Sequence, residues 1–421
     1  MHEEISEALQ RLEAILDKLP EPIAKSLKIQ IQELRVMLID KRPPRFALVG
    51  RRGSGKSSLI NAIFGAYVAD VGHEKAQTGT AKWWSYRGEL GVIDVLDTRG
   101  LQEGSKPDEA DNESNPMDSI MKALQEQSPD ALMFLIKAKE ADAAIETDLQ
   151  ALREISKEVG KAHHYVPPIV VVVTQCDELE PKNVKIHKPM DEDPEELEEK
   201  LQRIRSIETN LWQKVREYED LKGQLVAVIG ISSYQSWKRD KTRRYDERWR
   251  IDELLNFLSD ELPNEAKLEL ARLSQVLRIQ ESIANKVTHT IAMTCAGIAA
   301  VPIPVADLAP ITGLQTTLVM VIAFISGRQF SLKSSMEFLA SLGVNVGAAF
   351  AFRELSRAVL KFVFPGGGSV ISAAVAYGAT VGIGNAAIAY FIRGVHKSQL
   401  KEIYEREKKK GQKEKESKKS I

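Results

Sequence analysis

Apolar residues recur at spacings of three and four along the first forty positions: Ile5, Leu9, Leu12, Leu16, then Ile23, Leu27, Ile31, Leu34 and Leu38. That spacing puts them on one face of a helix. Pro20 and Pro22 interrupt it, so residues 1–42 are predicted to form a helical hairpin. Over 43–264 the pattern changes. Short apolar, β-rich runs at 46–49, 82–86, 92–96, 131–136, 169–173 and 225–229 alternate with helical stretches. Alternation of this kind predicts an α/β fold, a mostly parallel sheet with helices on both faces. Residues 187–222 read as an acidic, polar helix on the solvated surface. From 265 to 400 the chain is predicted to be an all-helical apolar domain, and 308–327 and 362–392 contain no Asp, Glu, Lys or Arg. The segment 401–421 is the reverse, rich in Lys and Glu, and predicts a frayed helix or a disordered tail.

Composition changes this picture little. Among 421 residues, 58 Lys and Arg balance 59 Asp and Glu, which argues against bulk binding of a polyanion. A mean hydropathy of −0.23 argues against a polytopic transporter. Cys176 and Cys295 are too few for a disulfide framework and suit a reducing compartment. The opening MHEEISEALQ is acidic and amphipathic, so no secretory signal is expected there.

Four motifs carry chemistry. Gly50-Arg51-Arg52-Gly53-Ser54-Gly55-Lys56-Ser57 fits G-x-x-x-x-G-K-[ST], with an apolar strand before it and a helix after it. Glycines let backbone N–H groups turn inward around phosphate oxygens, and the helix N-terminus favours the anion. Lys56 would reach the β- and γ-phosphates and Ser57 would ligate Mg²⁺. Next, Asp97-Thr98-Arg99-Gly100 ends the strand 92–96. An Asp there can hold Mg²⁺ through water, and the Gly100 N–H can sense the γ-phosphate. Third, Thr174-Gln175-Cys176-Asp177 ends the most apolar strand. A carboxylate there can accept from guanine N1–H and the 2-amino group. Adenine lacks that donor pair and would leave the acceptor unpaired. Last, Ile231-Ser232-Ser233 can offer backbone N–H groups to guanine O6.

Together these residues resemble the Era/TrmE-like branch of the translation-factor class of GTPases, over about residues 45–262. GRRGSGKSSLINAIFG, 50–65, is similar along its length to that branch's opening motif. The resemblance implies a P-loop GTPase using GTP, GDP and Mg²⁺. It implies that a first-switch threonine, Thr78 or Thr80, ligates the metal. The candidate catalytic set is then Lys56, Thr80 and Gly100, and the candidate metal set is Ser57, Thr80 and Asp97. Nucleotide contacts are expected from Arg52, Gly53, Ser54, Gly55, Lys56, Ser57, Ser58, Thr78, Asp97, Thr174, Gln175, Asp177, Ser232 and Ser233. The chain departs from the branch at Gly53, where Asn often stands, and at Thr174-Gln175, which replaces Asn-Lys. Leu101 follows Gly100 where small signalling GTPases carry a catalytic Gln. A slow basal rate is therefore expected, raised by a partner or by self-association, with Arg51, Arg52 and Arg99 as candidate arginines.

The segment 300–310, AVPIPVADLAP, resembles the hydrophobic helical domain attached to some bacterial Era-like GTPases. The order of helices, GTPase and apolar helices also looks like immunity-related and dynamin-like GTPases. Pro302 and Pro304 predict the end of a helix near Ala300, and Asp307 a cap for the next. Small residues repeat at spacing four, Gly343 and Gly347, then Ala374, Gly378, Gly382 and Ala386. Such rows serve a membrane hairpin or a tight soluble bundle equally well. Glu337, Arg353 and Glu354 weigh against full insertion. The expectation is a GTPase coupled to a helical domain that touches lipids at the inner, cytoplasmic face of a membrane and self-associates with nucleotide. RNA is a lesser expectation and DNA is not expected. An RNA or ribosome-assembly GTPase and a GTP-dependent scaffold with little turnover are the alternatives.

Overall fold

The computed structural model describes residues 6, 10, 13, 21–69, 82–89, 91–97, 116–141, 145–274, 276–300, 308–328, 331–344 and 373–417. Two compact units emerge: Arg42–Ser274, and Met1–Lys41 together with Gln275–Ile421.

The first unit holds a six-stranded sheet. Its strands are β1 (Arg45–Gly50), β2 (Lys82–Arg87), β3 (Val92–Asp97), β4 (Ala131–Lys137), β5 (Ile169–Thr174) and β6 (Leu225–Gly230), in the order β2-β3-β1-β4-β5-β6. All six strands expected from the apolar runs are present. Only β2 is antiparallel to its neighbour; the other pairings are parallel. Strands β1, β4 and β5 are covered on both faces, which is why 131–136 and 169–173 read as unbroken apolar runs. Phe46, Leu48, Phe134 and Val171 form the buried centre.

The covering helices are α2 (Lys56–Phe64), α3 (Pro116–Glu126), α4 (Ile145–His163), α5 (Pro194–Arg216), the short α6 (Glu219–Lys222), α7 (Ile251–Glu261) and α8 (Asn264–Ser274), preceded in the chain by α1 (Glu21–Leu38) of the other unit. Helix α5 starts where Asp193 accepts hydrogen bonds from the N–H groups of Glu195 and Glu196 at 2.9 and 3.2 Å, an N-cap. Its acidic face is exposed, but Lys200, Ile204, Leu211 and Val215 are buried, so the helix is not wholly a solvated element. The expected boundary at 264 falls ten residues early, because α8 groups with the sheet. Its Glu269 and Leu273 pack against Gly91, just before β3. A two-stranded hairpin, β7 (Gln235–Trp237) with β8 (Arg243–Asp246), follows β6 and had no alternation long enough to predict it.

The second unit is helical: α1, α9 (Leu277–Ala300), α10 (Leu308–Ile325), α11 (Leu332–Ser341), α12 (Ala373–Phe391) and α13 (Leu400–Ser417). Helices α1 and α9 meet through Lys286 and Glu33 at 2.9 Å. The charged segment expected to fray is instead the ordered helix α13, with Leu400 and Tyr404 buried. It lies against α12 where glycines permit close approach. A Cβ on Gly378 would stand 2.5 Å from the Lys408 carbonyl oxygen, and one on Gly382 would stand 2.7 Å from that of Tyr404. Part of the small-residue row thus serves a helix-to-helix seam. Helix α12 is apolar and long enough to cross a membrane, yet 72% of its most apolar window is buried inside the protein. Glu337 is exposed on α11. Pro302, Pro304, Asp307, Gly347, Arg353, Glu354, Arg357 and Lys361 lie outside the described residues.

Candidate functional site

The site is built at the C-terminal ends of the parallel strands, the edge where loops of an open α/β sheet gather. Strand β1 delivers Gly50 beside Leu135 of β4, and Leu48 beside Asp97 of β3. A Cβ on Gly50 would stand 2.6 Å from the Leu135 carbonyl oxygen, so only glycine fits that crossing. Gly55 precedes the first turn of α2 with φ of 90°, a conformation that disfavours any side chain. Between them the chain turns so that the first N–H groups of α2 face the loop, a ready anion site.

Lys56 has curled over this loop. Its Nζ donates to the carbonyl oxygens of Gly50 and Arg51 at 3.1 and 3.3 Å. These are neutral acceptors, and a phosphate oxygen would outcompete them. Ser54 is 2% exposed, its N–H donates to the Arg51 carbonyl at 3.1 Å, and its buried Oγ has no partner. Ser57 and Ser58 occupy the first turn of α2, half-buried. Asp97 ends β3 level with Leu48. Thr78, Thr80, Arg99, Gly100 and Leu101 lie outside the described residues.

The base-side motif is tied directly to the phosphate loop. Thr174 is 1% exposed, and its Oγ1 donates to the carbonyl oxygens of Ser54 at 2.9 Å and Ile136 at 3.3 Å. It therefore stitches the loop to the sheet, a bond of about 0.5–1.5 kcal/mol net. Gln175 takes a left-handed conformation, φ 59°, and its Nε2 donates to the Gly53 carbonyl at 3.2 Å. Cys176 is buried, which pushes its thiol up to about 12, with Glu208 and Asp177 adding to the shift. A thiol so protonated is inert as a nucleophile. Asp177 is half-buried on the wall of a cavity of about 390 Å³, shared with Lys139, Glu178, Val184, Ile186 and Glu247.

Of the two serines after β6, Ser232 is committed. Its N–H donates to the Trp249 carbonyl at 3.2 Å, and its own carbonyl accepts from Trp249. The Ser232 N–H is thus bonded within the chain, to the strand-like stretch before α7. Ser233 is 8% exposed with a buried, unpartnered Oγ.

Arg51, considered as a donor to a second copy, is engaged within its own chain. Its Nε donates to Asp148 Oδ2 at 2.8 Å. Burial pushes the Asp148 carboxyl up, and Arg51 opposes that shift. Arg52 is exposed. The sequence reading missed Lys137, at the end of β4, whose side chain passes within 3.5 Å of where a Gly53 Cβ would stand and pairs with Glu140 at 2.9 Å. Its register opposite Thr174 places it there, and strand counting alone could have found it.

Residues 45–175 match the family described as 50S ribosome-binding GTPase. By that match this segment is a P-loop GTPase domain. Similar proteins include the uncharacterized protein YfjP of Escherichia coli (strain K12), 30% identical over 180 residues, covering 42% of this chain and 54% of that one. GTPase Der of Lacticaseibacillus casei (strain BL23) is 30% identical over 141 residues, covering 33% of this chain and 29% of Der. The chain thus spans about half of the first relative and under a third of the second. Among solved structures, Toc33 from Arabidopsis thaliana aligns with a TM-score of 0.37 at 16% identity, covering 58% of this chain and 94% of that chain. At such a score it says nothing about the chemistry of this P-loop GTPase domain.

Proposed function

We propose that the P-loop GTPase domain binds guanine nucleotides and hydrolyses GTP with Mg²⁺. One observation carries this reading: the loop Gly50–Lys56 is bonded to the Asp177 motif through Thr174 and Gln175. Phosphate and base would therefore be read by one connected surface. The metal fits the same residues. Ser57 stands in the first helical turn, and Asp97 ends the strand paired with β1. Among the described residues no group of three or more His, Cys, Asp or Glu gathers. The ion would be held by one hydroxyl, a carboxylate acting through water, and phosphate oxygens. When bound, Mg²⁺ would neutralise charge on the transferring phosphoryl group; Thr78 or Thr80 would be its further protein ligand.

Basal turnover is expected to be slow and to rise with protein concentration. Leu101 offers no group to orient water, and a supplied arginine contributes about 10³–10⁵ in rate. Arg51, which pairs with Asp148 in its own chain, Arg52 and Arg99 are the candidates across a self-associated pair. Phosphate release measured with and without Mg²⁺ over a wide dilution series checks this. A flat, fast rate, or no metal dependence, rejects it.

For the helical unit we propose peripheral membrane contact. Helix α12 supplies the apolar length, and its burial among α9, α10 and α13 favours a closed bundle touching the interface over a spanning helix. Flotation of the full chain with anionic vesicles, in GDP and in a non-hydrolysable GTP analogue, tests it. Capture weakened but not abolished by salt supports the reading; protein left in solution in both states sinks it. One surface favours a second reading, an RNA contact. Residues 238–245 are all exposed and include Lys238, Arg239, Lys241, Arg243 and Arg244 beside exposed Tyr245, a mix of cations and an aromatic that suits single strands. Co-sedimentation with ribosomes in place of vesicles would favour it.

A further inference from the structure

We propose that Lys200 is a positioning residue for guanine recognition, its buried ammonium holding the main chain behind Asp177 so that the carboxylate faces the base; this rests on the guanine reading of the site. Lys200 lies on α5, a helix whose neighbouring residues Glu195, Glu196, Glu198 and Glu199 are exposed. Lys200 itself is 0% exposed.

Its geometry is that of a three-point tether. The Nζ donates to the carbonyl oxygens of Asp177 at 2.7 Å, Val184 at 2.9 Å and Pro181 at 3.1 Å. A lysine ammonium has three N–H donors and no acceptor, so its capacity is used in full. All three acceptors belong to the turn 177–184 that leaves β5. The Pro181 carbonyl also accepts from the Val184 N–H at 3.3 Å, so the ammonium adds to the turn's own main-chain bonding, and buried carbonyls need partners.

A structural filler does not explain the choice. A methionine would occupy a similar volume without stripping water from a charge, and burying an ammonium is costly unless its bonds are made. That cost is visible: burial pushes the Lys200 ammonium below its usual range, while Asp177 and Glu180 pull it back. The tether acts on the turn that carries the specificity residue. Asp177 is anchored from behind by Lys200. Its neighbours are held by the Cys176 N–H donating to the Ile231 carbonyl at 3.1 Å and the Glu178 N–H donating to the Gln175 carbonyl at 3.1 Å. With three consecutive residues pinned, the Asp177 side chain has a defined origin on the cavity wall. An aligned pair of hydrogen bonds needs that, because such bonds weaken steeply off-axis.

The test compares GDP with IDP, which keeps N1–H but lacks the 2-amino group. Calorimetry on the full chain should show the wild type preferring GDP by about tenfold or more, the value of one hydrogen bond to a charged acceptor. Lys200→Met should remain folded by thermal melting, bind GDP more weakly, and compress the GDP-to-IDP ratio toward one. Lys200→Gln keeps two N–H donors, one atom short of the Nζ position, and should recover part of the ratio; it is read in the same way if Lys200→Met does not fold. A purely structural role would lower both affinities by one common factor, or leave both unchanged while lowering the melting temperature. Either result overturns the proposal. A wild type that binds GDP and IDP equally would overturn the guanine reading itself, and the proposal with it.

Discussion

Lys56→Ala is expected to remove measurable GDP and GTP binding while leaving the nucleotide-free protein folded. The lysine's ammonium rests on two carbonyls of its own loop, Gly50 and Arg51. Both are neutral acceptors, and both belong to a loop whose shape is set elsewhere. The Gly50 crossing against Leu135, the left-handed Gly55 and the Thr174 bond to Ser54 do not involve the lysine. Its loss in the free protein should therefore change stability by no more than about 1 kcal/mol. With nucleotide present the balance differs. The ammonium would meet two phosphates, and each charge-assisted bond lost costs about 1.5–3 kcal/mol. Losing two of them weakens binding by about 10² to 10⁴-fold. Calorimetry beside a melting curve checks both halves. A variant that melts far earlier without nucleotide would show the lysine to be structural.

Asp177→Asn is expected to exchange guanine for xanthine preference. The carboxylate accepts only, whereas an amide presents one acceptor and one donor. Guanine would then face a donor opposite its own 2-amino group, while xanthine carries an oxygen there. GDP affinity should fall by about 10²-fold or more, since two bonds to a charged acceptor are disturbed. Affinity for XDP should rise relative to the wild type. The turn that carries Asp177 is held by main-chain bonds and by Lys200, so the substitution leaves the frame intact. If ADP bound the wild type as tightly as GDP, Asp177 would not be reading the base.

Much of the sheet was legible because its strands are extreme cases. Ile169–Thr174 is five apolar β-branched residues and a threonine, a run that suits a strand buried on both faces. The phosphate loop was legible because a strand, a glycine pattern and a helix start coincide within a dozen residues. The hairpin β7–β8 was not legible. Its strands have three and four residues, and the second reads Arg-Arg-Tyr-Asp, without apolar alternation. The tail was misjudged for the opposite reason. Its composition is that of a solvated segment, and only two glycines on α12 reveal that a charged helix can lie close along an apolar one.

Sequence by itself determined the local chemistry: which loop is shaped for phosphate, which carboxylate follows which strand, and where apolar length accumulates. Those properties are written in residues adjacent along the chain, where glycine, lysine and helix start must stand at fixed spacing. The tertiary structure decided the pairings made across long separations. Thr174 reaches Ser54, 120 positions away, and ties the phosphate loop to the sheet. Arg51 is spent on Asp148, 97 positions on. Trp249 takes the N–H of Ser232. Lys200, in a helix that reads as solvated, supports the turn behind Asp177. Each of these depends on which strands and helices become neighbours. A polar side chain gives no sign in sequence of whether its partner will be water, a ligand or a distant carbonyl, because its hydrogen-bonding capacity is the same in all three cases. Only burial, which follows from packing, removes water from the choice.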